Sequence, residues 1–199
     1  MWNHNIHYGR RLAARLGATA STALDIGCGE GWLVAELARD VPFVVGLDPD
    51  REVLDLARAH LAADERGRTA LVRGGVLTAP FPPRSFDLVL AVASLHHLGE
   101  EDGLRRMRDL VAPGGALGIV GLARSRGPRD HLVDLLGAME TRARALRNQR
   151  WESSAPVVWP PPHTYAELRT IAAEVLPGSS FRRRAMWRYE IAWHRPPTD

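Results

Sequence analysis

Apolar residues in the first two thirds of this 199-residue chain follow two alternating patterns. Nearly continuous apolar runs, typical of buried parallel strands, cover residues 23–26, 43–47, 70–73, 86–92 and 116–122. Apolar residues at helical spacing precede or separate these runs, at Tyr8, Leu12 and Leu16 and then within 33–38, 53–61 and 104–111. This alternation predicts an α/β fold: a doubly wound parallel sheet with helices on both faces.

Local signals predict where several helices begin and end. Asp50 is expected to cap the helix over 53–61, and the P-G-G sequence at 113–115 is expected to end the helix over 104–111. Thr164 and Glu167 have the spacing of a capping box, which predicts the start of a late helix.

The last third departs from the strand–helix rhythm. Residues 124–128 form a polar link, and apolar residues then recur at helical spacing over 132–146. A Pro-rich loop at 156–162 and the capped helix follow, and residues 181–187 and 189–193 predict two closing strands with a very short connection. The pattern contains no internal repeat and no second domain.

The turn after the first apolar run is the most informative segment. Residues 25–31 read D-I-G-C-G-E-G, with glycine at alternate positions, and this loop lets a ligand approach the backbone closely. Asp48, at the end of the next apolar run, is placed to accept hydrogen bonds from both hydroxyls of a ribose. The two segments predict a nucleoside-binding β–α–β unit.

The spacing of the glycines distinguishes between nucleosides. A dinucleotide site reads G-x-G-x-x-G, which needs glycine at position 32, where this chain has Trp32. The D-x-G-x-G-x-G pattern instead resembles motif I of the class I S-adenosyl-L-methionine (SAM)-dependent methyltransferases. Segments resembling later motifs of that family follow in order: F-D-L-V-L at 86–90, S-L-H-H-L at 94–98 and L-V-A-P-G-G-A-L at 110–117.

The resemblance implies a Rossmann-like sheet of seven strands, mostly parallel with one antiparallel strand, which the C-terminal hairpin completes. It implies a single methyltransferase domain over 1–199: an N-terminal helix or lid at 1–20, a SAM-binding core at 21–125, a helical cover for the acceptor at 126–163, and a final helix with the hairpin at 164–199. It also implies methyl transfer with SAM as the cofactor.

Site residues follow from the same resemblance. Asp25 is expected to orient the loop or the amino group of the ligand, and Asp48 to bind the ribose, although a helix-capping role is the alternative for Asp48. Gly75 stands where the family often has an acidic contact to adenine, so backbone groups near Gly75 and Val76 are expected to replace it. The expected cofactor-binding residues are Tyr8, Asp25, Gly27, Cys28, Gly29, Gly31, Asp48, Pro49, Gly75, Val76 and Ala91, with Cys28 as a small filler behind the loop.

His96 and His97 are the candidate catalytic residues. They follow the fourth predicted strand, at the edge where α/β sheets bind ligands, and histidine can act as a general base near neutral pH. The alternative is that one packs under the cofactor and the other caps a helix. His4, His7 and Tyr8 are a candidate lid, or an exposed polar terminus. No zinc-like spacing is present, so no metal site is expected.

The amino-acid composition limits the possible mechanisms, binding partners and cellular compartment. All 26 basic residues are arginine, which excludes a catalytic lysine. The net charge is only +3, so the high isoelectric point of 9.7 is weak support for a polyanionic partner. A single cysteine excludes an internal disulfide, and no signal peptide or membrane span is apparent, so a cytoplasmic protein is expected.

Motifs that the chain lacks limit the possible classes of methyl acceptor. The chain lacks the N/D-P-P-Y/F motif of base-amine methylation, a cysteine outside motif I for pyrimidine C5 methylation, and the lysines of a K-D-K-E tetrad. What remains resembles small bacterial methyltransferases of specialised metabolism, which predicts transfer to an O, N or C atom of a small, hydrophobic or aromatic metabolite by a monomer or homodimer. The alternatives are an RNA or protein methyltransferase and a catalytically silent SAM-binding partner protein.

Overall fold

A computed structural model describes residues 4–61, 68–127, 160–184 and 187–197. Its helices are α1 (His4–Leu16), α2 (Trp32–Leu37), α3 (Arg51–Leu61), α4 (Glu100–Leu110) and α5 (Tyr165–Val175), and a 3₁₀ turn covers Leu95–His97. Its strands are β1 (Thr22–Ile26), β2 (Phe43–Asp48), β3 (Arg68–Arg73), β4 (Phe86–Val92), β5 (Val111–Leu122), β6 (Ser180–Arg183) and β7 (Arg188–His194). None of the described helices is both long and apolar enough to cross a membrane. The helix predicted over 132–146 lies outside the described residues.

All seven strands form one sheet in the order β3-β2-β1-β4-β5-β7-β6. Neighbours from β3 to β5 pair in parallel, whereas β7 is antiparallel to both β5 and β6. The predicted seven-stranded sheet with one antiparallel strand is therefore confirmed. The strand order reverses between β1 and β4, and open α/β sheets bind ligands at the carboxyl ends of the strands at such a point.

Each face of the sheet has its own hydrophobic core. Leu88 and Leu90 of β4 pack on the face that α1, α2 and α3 cover, and the alternating Val89 and Ala91 pack on the face that α4 and α5 cover. This alternation follows from the two-residue period of a strand. Because β4 is buried on both faces, its apolar run is nearly continuous, as the sequence indicated.

Two predicted boundaries were wrong. The P-G-G segment does not end a helix, because α4 stops at Leu110 and β5 begins at Val111. The pairing register of β5 against β4 shifts across this segment, and Gly114 has a φ of 74°, so the glycines form an irregular start to a strand. The first hairpin strand ends at Arg183 instead of residue 187, since Trp187 lies in the turn with a φ of 57°.

A buried carboxylate ties α1 to the C-terminal hairpin. Glu190 of β7 is 3% exposed, and its two oxygens accept hydrogen bonds from Arg15 at 2.6 Å and from Arg184 at 2.7 Å. Burial alone would raise the pKa of Glu190, but the hydrogen bonds and charges of Arg184 and Arg15 outweigh it and hold the pKa below its usual value. The ion pairs therefore help to fix the N-terminal helix on the sheet.

Replacing this carboxylate is expected to destabilise the fold. Glu190→Gln leaves two guanidinium groups without their counter-charge beside a buried amide, which should lower the free energy of unfolding by about 2 kcal/mol. Glu36→Gln is the matched control, because Glu36 also accepts from two arginines, Arg10 and Arg39, but at the surface. Urea unfolding of both variants measures the difference. Equal losses would show that burial adds nothing to the Glu190 pairs.

Candidate active site

The glycine loop joins β1 to α2 at the carboxyl edge of the sheet. The amides of Gly27 and Cys28 both donate to the carbonyl of Leu47, at 2.8 and 3.1 Å. Gly27 and Gly29 have φ values of 71° and 53°, a region that favours glycine. A Cβ on Gly27 would lie 2.6 Å from Cβ of Ser94, whereas a Cβ on Gly29 would meet no atom within 4 Å. Gly27 is thus required by packing, and Gly29 borders open space that suits a ligand.

Gly31 and Cys28 have supporting positions in this loop. A Cβ on Gly31 would lie 3.2 Å from Cβ of Ala57 on α3, so glycine allows the helix to approach. The Cys28 side chain is buried, with its sulfur 2.9 Å from where a Cβ on Gly46 would stand. Burial, followed by the charges of Asp25 and Asp48, raises the pKa of the Cys28 thiol well above its usual range. This agrees with the expected filler role and not with a nucleophile.

Asp48 connects the glycine loop to α3. Its carboxylate accepts from the amide of Gly29 at 3.0 Å and, through the other oxygen, from the amide of Asp50 at 3.0 Å. Each carboxylate oxygen can accept more than one hydrogen bond, so both remain able to bind ribose hydroxyls. Asp50 accepts from the amide of Glu52 at 2.9 Å, which confirms the predicted cap. Pro49, the residue between the two acids, is exposed.

Asp25 carries a buried carboxyl group without a counter-charge. It is 2% exposed, and no described residue donates a hydrogen bond to it. Burial, with a smaller contribution from the nearby charge of Asp48, raises the pKa of Asp25 to about 7. A buried carboxylate is costly unless it is paired, so this position suits a ligand that brings a positive charge. The amino group of SAM is such a group, and the residues present therefore fit this cofactor.

The segment after β3 is held by an arginine that the sequence did not reveal. The carbonyl of Gly75 accepts from the amide of Ala79 at 2.8 Å, and Val76 is only 1% exposed. Arg106 of α4 donates to the carbonyls of Val76, Ala79 and Phe81, at 3.2, 2.9 and 3.0 Å. One guanidinium group thus fixes the backbone segment that was expected to contact adenine.

Weakening this brace is expected to reduce cofactor affinity. Arg106→Lys replaces a planar fork with a single ammonium that cannot reach three carbonyls, so SAM binding should weaken roughly fivefold to tenfold. The unfolding free energy should fall by about 1 kcal/mol. Arg105→Lys, on the exposed side of the same helix, is the control and should behave like the wild type. Calorimetric titration with S-adenosylhomocysteine measures the affinities, and equal affinities would mean that Arg106 does not support this segment.

The end of β4 leads into the 3₁₀ turn. Ala91 is fully buried between its neighbours in β1 and β5, and its contact with the cofactor stays a prediction. Val92 and Ala93 are both partly exposed, and Ala93 has a φ of 58°. Ser94 then donates from its hydroxyl to the carbonyl of Ile26 at 2.7 Å, which fastens the 3₁₀ turn to the glycine loop.

The two candidate catalytic histidines lie side by side on this turn. Their ring centroids are 4.1 Å apart, and His97 is exposed whereas His96 is partly buried. Burial, with a contribution from His97, lowers the pKa of His96 to about 4. His96 is therefore neutral at pH 7 but a weak base, and its buried Nδ1 has no hydrogen-bond partner among the described residues.

A tyrosine on α1 and a histidine–glutamate pair also lie near the carboxyl ends of the strands. A Cβ on Gly9 would lie 3.1 Å from the side chain of Val92, so α1 crosses close to the end of β4 and brings Tyr8 to this edge. Nδ1 of His163 lies 3.0 Å from a carboxylate oxygen of Glu100. No group of three or more metal-binding side chains occurs among the described residues. The lid role of His4, His7 and Tyr8 stays a prediction.

Comparison with known proteins identifies the family. Residues 23–115 match the model of a methyltransferase domain. An uncharacterized methyltransferase of Mycobacterium tuberculosis is 36% identical over 199 residues, covering 98% of both chains. A ubiquinone biosynthesis O-methyltransferase of Pseudomonas paraeruginosa is 32% identical over 130 residues, which is 62% of this chain and 53% of the relative. An O-methyltransferase family protein of Burkholderia thailandensis has a similar fold, with a TM-score of 0.68, 20% identity, and coverage of 98% of this chain and 56% of the other.

The fold and the glycine loop define a nucleoside-binding α/β protein. The chain belongs to the class I SAM-dependent methyltransferases. The family, the fold and the cofactor expected from the sequence are thereby confirmed, while the individual cofactor contacts and the catalytic histidines stay predictions.

Proposed function

We propose that this enzyme transfers the methyl group of SAM to a small, hydrophobic or aromatic metabolite, at an oxygen, nitrogen or carbon atom. The observation that carries the proposal is the buried carboxyl group of Asp25 at the start of the loop in which Gly29 borders open space. A buried acid without a counter-charge, next in sequence to a glycine-rich loop, favours a cationic nucleoside. When bound, SAM supplies a methyl group on a positively charged sulfur. The neutral thioether S-adenosylhomocysteine is a good leaving group.

The residues of the chain have separate tasks in this proposal. Asp48 binds the ribose while it holds the amide of Gly29, and Asp25 pairs with the amino group of the cofactor. The segment braced by Arg106 holds adenine through its backbone, because Gly75 provides no side chain. Together they fix the cofactor against the 3₁₀ turn after β4, so that the protein mainly has to orient the acceptor and exclude water.

Several observations support a small acceptor over a nucleic acid. Many arginines of the described residues are engaged by nearby acids, including Arg10, Arg15, Arg39, Arg58, Arg105, Arg108 and Arg184. Within the described residues, the charges of these seven arginines are locally neutralised, which makes them less suited to binding phosphate than an open basic surface. The match to an O-methyltransferase of ubiquinone biosynthesis adds support for an oxygen acceptor on a small molecule.

We further propose that the enzyme acts in the cytoplasm as a monomer or homodimer, without a membrane or nucleic-acid partner. The single buried thiol of Cys28 is compatible with a reducing compartment. Light scattering of the purified protein at micromolar concentration tests the oligomeric state, and a larger assembly would overturn that part of the proposal.

The function is tested in two steps. Calorimetric titration should first detect binding of both SAM and S-adenosylhomocysteine. The enzyme is then incubated with methyl-labelled SAM and a native cell extract, and the extract is separated into small molecules, RNA and protein. Label in the small-molecule fraction supports the proposal. Label only in RNA, with binding that falls steeply with salt, or only in protein, would replace it with a macromolecular acceptor. SAM binding without any labelled product would indicate a catalytically silent partner protein.

A further inference from the structure

A histidine outside the predicted catalytic pair lies against a buried acid. Nδ1 of His163 is 3.0 Å from Oε1 of Glu100, whose side chain is 7% exposed, whereas the imidazole of His163 is 35% exposed. One side of the ring therefore meets a carboxylate while other parts of the ring reach solvent. Within the described part of the chain, neither His96 nor His97 has such a contact with an acid.

The backbone holds both members of this pair in place. Glu100 is the first residue of α4, where the positive end of the helix favours a carboxylate. His163 directly precedes the capping box of α5, in which the amide of Thr164 donates to Glu167 at 2.7 Å. The carbonyl of His163 accepts from the amide of Arg124 at 2.8 Å. The pair is thus tied to two helix starts and to the segment that follows β5.

This position is at the acceptor side of the expected cofactor site. Arg124 lies two residues beyond the carboxyl end of β5, which is next to β4 in the sheet, and β4 is next to β1 with its glycine loop. Neighbouring strands are about 4.8 Å apart, so the ends of β1 and β5 are separated by roughly 10 Å across the sheet. An acceptor that faces the methyl group from the β5 side would lie between the glycine loop and His163.

We propose that His163, oriented by Glu100, is the general base that removes the proton from a hydroxyl group of the acceptor. The carboxylate favours the imidazole tautomer with its proton on Nδ1, which leaves Nε2 as the proton acceptor. In this structure the Nδ1 proton is not aligned on Glu100 as a full hydrogen bond. Catalytic hydrogen bonds are often poorly aligned before the substrate binds. A rotation of the His163 ring would complete the hydrogen bond from Nδ1 to Glu100.

The step balances as an in-line displacement. The acceptor oxygen forms a bond to the methyl carbon as the carbon–sulfur bond breaks, and that electron pair stays on the sulfur of S-adenosylhomocysteine. The hydroxyl proton goes to Nε2 of His163, and the resulting imidazolium is stabilised by Glu100. This inference rests on the proposed function and sharpens it: the acceptor is a hydroxyl-bearing small molecule, and the reaction is O-methylation.

The tautomer of His163 is the first test, because it needs no acceptor. Nitrogen-15 NMR of the enzyme saturated with S-adenosylhomocysteine should show His163 with its proton on Nδ1 at pH 8. Glu100→Met removes the carboxylate, and the signal should move toward the Nε2-protonated form that free histidine favours. A proton on Nε2 in the wild-type enzyme, or an unchanged tautomer in Glu100→Met, would overturn the assignment.

The rate of labelling is the second test. With methyl-labelled SAM and the same cell extract, His163→Asn should label the small product at least about 100-fold more slowly than the wild type, with unchanged affinity for S-adenosylhomocysteine. The residual rate should rise with pH as the acceptor ionises without help, and added imidazole should partly restore the rate of a His163→Gly variant. His194→Asn is the matched control, since His194 pairs with Ala116 near the opposite end of β5, and it should be unaffected.

Different results are expected if the assignment of His163 is wrong and if the proposed function is wrong. If the wild type labels a small molecule and His163→Asn does so within about threefold of its rate, His163 is not the base. A large loss in His96→Asn with an unaffected His163→Asn would assign the base to His96 instead. If the wild type binds SAM but labels no small molecule, the proposed function fails, and the role of His163 fails with it.

Discussion

Gly29→Ala is expected to bind SAM and S-adenosylhomocysteine roughly 100-fold more weakly than the wild type, a loss of about 2.7 kcal/mol. The added methyl group meets no protein atom within 4 Å, so in the free protein the substitution costs only the strain of alanine at a φ of 53°, about 1–2 kcal/mol. When the cofactor is present, the methyl group occupies the space that the ligand needs. Calorimetry measures the affinity, and thermal unfolding of the free protein measures the strain.

Gly178→Ala provides a closely matched control for this variant. Gly178 has a φ of 79°, a Cβ there would also meet nothing within 4 Å, and it lies between α5 and β6, away from the loop. The two variants should lose similar stability, while Gly178→Ala keeps the wild-type affinity. Equal affinities in both variants would show that the open space at Gly29 is not where the cofactor binds. Gly27→Ala is expected to differ from both, because its methyl group collides with Ser94 and disturbs the fold itself.

Asp25→Asn should stabilise the free protein and weaken cofactor binding. The folded state raises the pKa of Asp25 to about 7, so it favours the protonated acid. As pH rises from about 4, where the unfolded carboxyl ionises, to about 7, the native protein loses stability, whereas the neutral amide of the variant causes no such loss. The variant should therefore be more stable by about 1 kcal/mol at pH 5 and by roughly 4 kcal/mol at pH 8.

Urea unfolding at these two pH values, with and without SAM, tests this prediction. SAM binding to Asp25→Asn should be at least about tenfold weaker, because a neutral amide cannot neutralise a cationic amino group. Asp55→Asn is the control, since Asp55 is exposed and paired only at the surface, and its effects on stability and on SAM binding should be small. If the unfolding free energies of Asp25→Asn and the wild type change equally between the two pH values, burial does not hold the acid protonated.

Much of the fold was predictable because its signals are local. The buried strands show as apolar runs, and the glycine loop shows as a spacing that only a tight, ligand-facing turn requires. Asp50 and Thr164 cap their helices through hydrogen bonds to residues two or three positions away, so short sequence patterns reveal them. The P-G-G segment misled the prediction because glycines serve a helix end and an irregular strand equally well.

The residues of the candidate site that the sequence did not reveal act through contacts between distant positions. Arg106 braces carbonyls that are 25 to 30 residues earlier in the chain, and an arginine within a helix has no pattern that marks this role. Glu100 and His163 come together only because α4 and α5 start at the same edge of the sheet.

α4 carries both the brace of the adenine segment and the acid beside His163. Arg106 and Glu100 are six positions apart on one helix, so a shift of that helix is expected to change both the cofactor affinity and the proposed proton removal. Attempts to engineer acceptor preference through α4 should therefore compromise turnover with every acceptor. Described positions after β5 and before α5, other than His163, are the better candidates for such changes, because they lie outside α4.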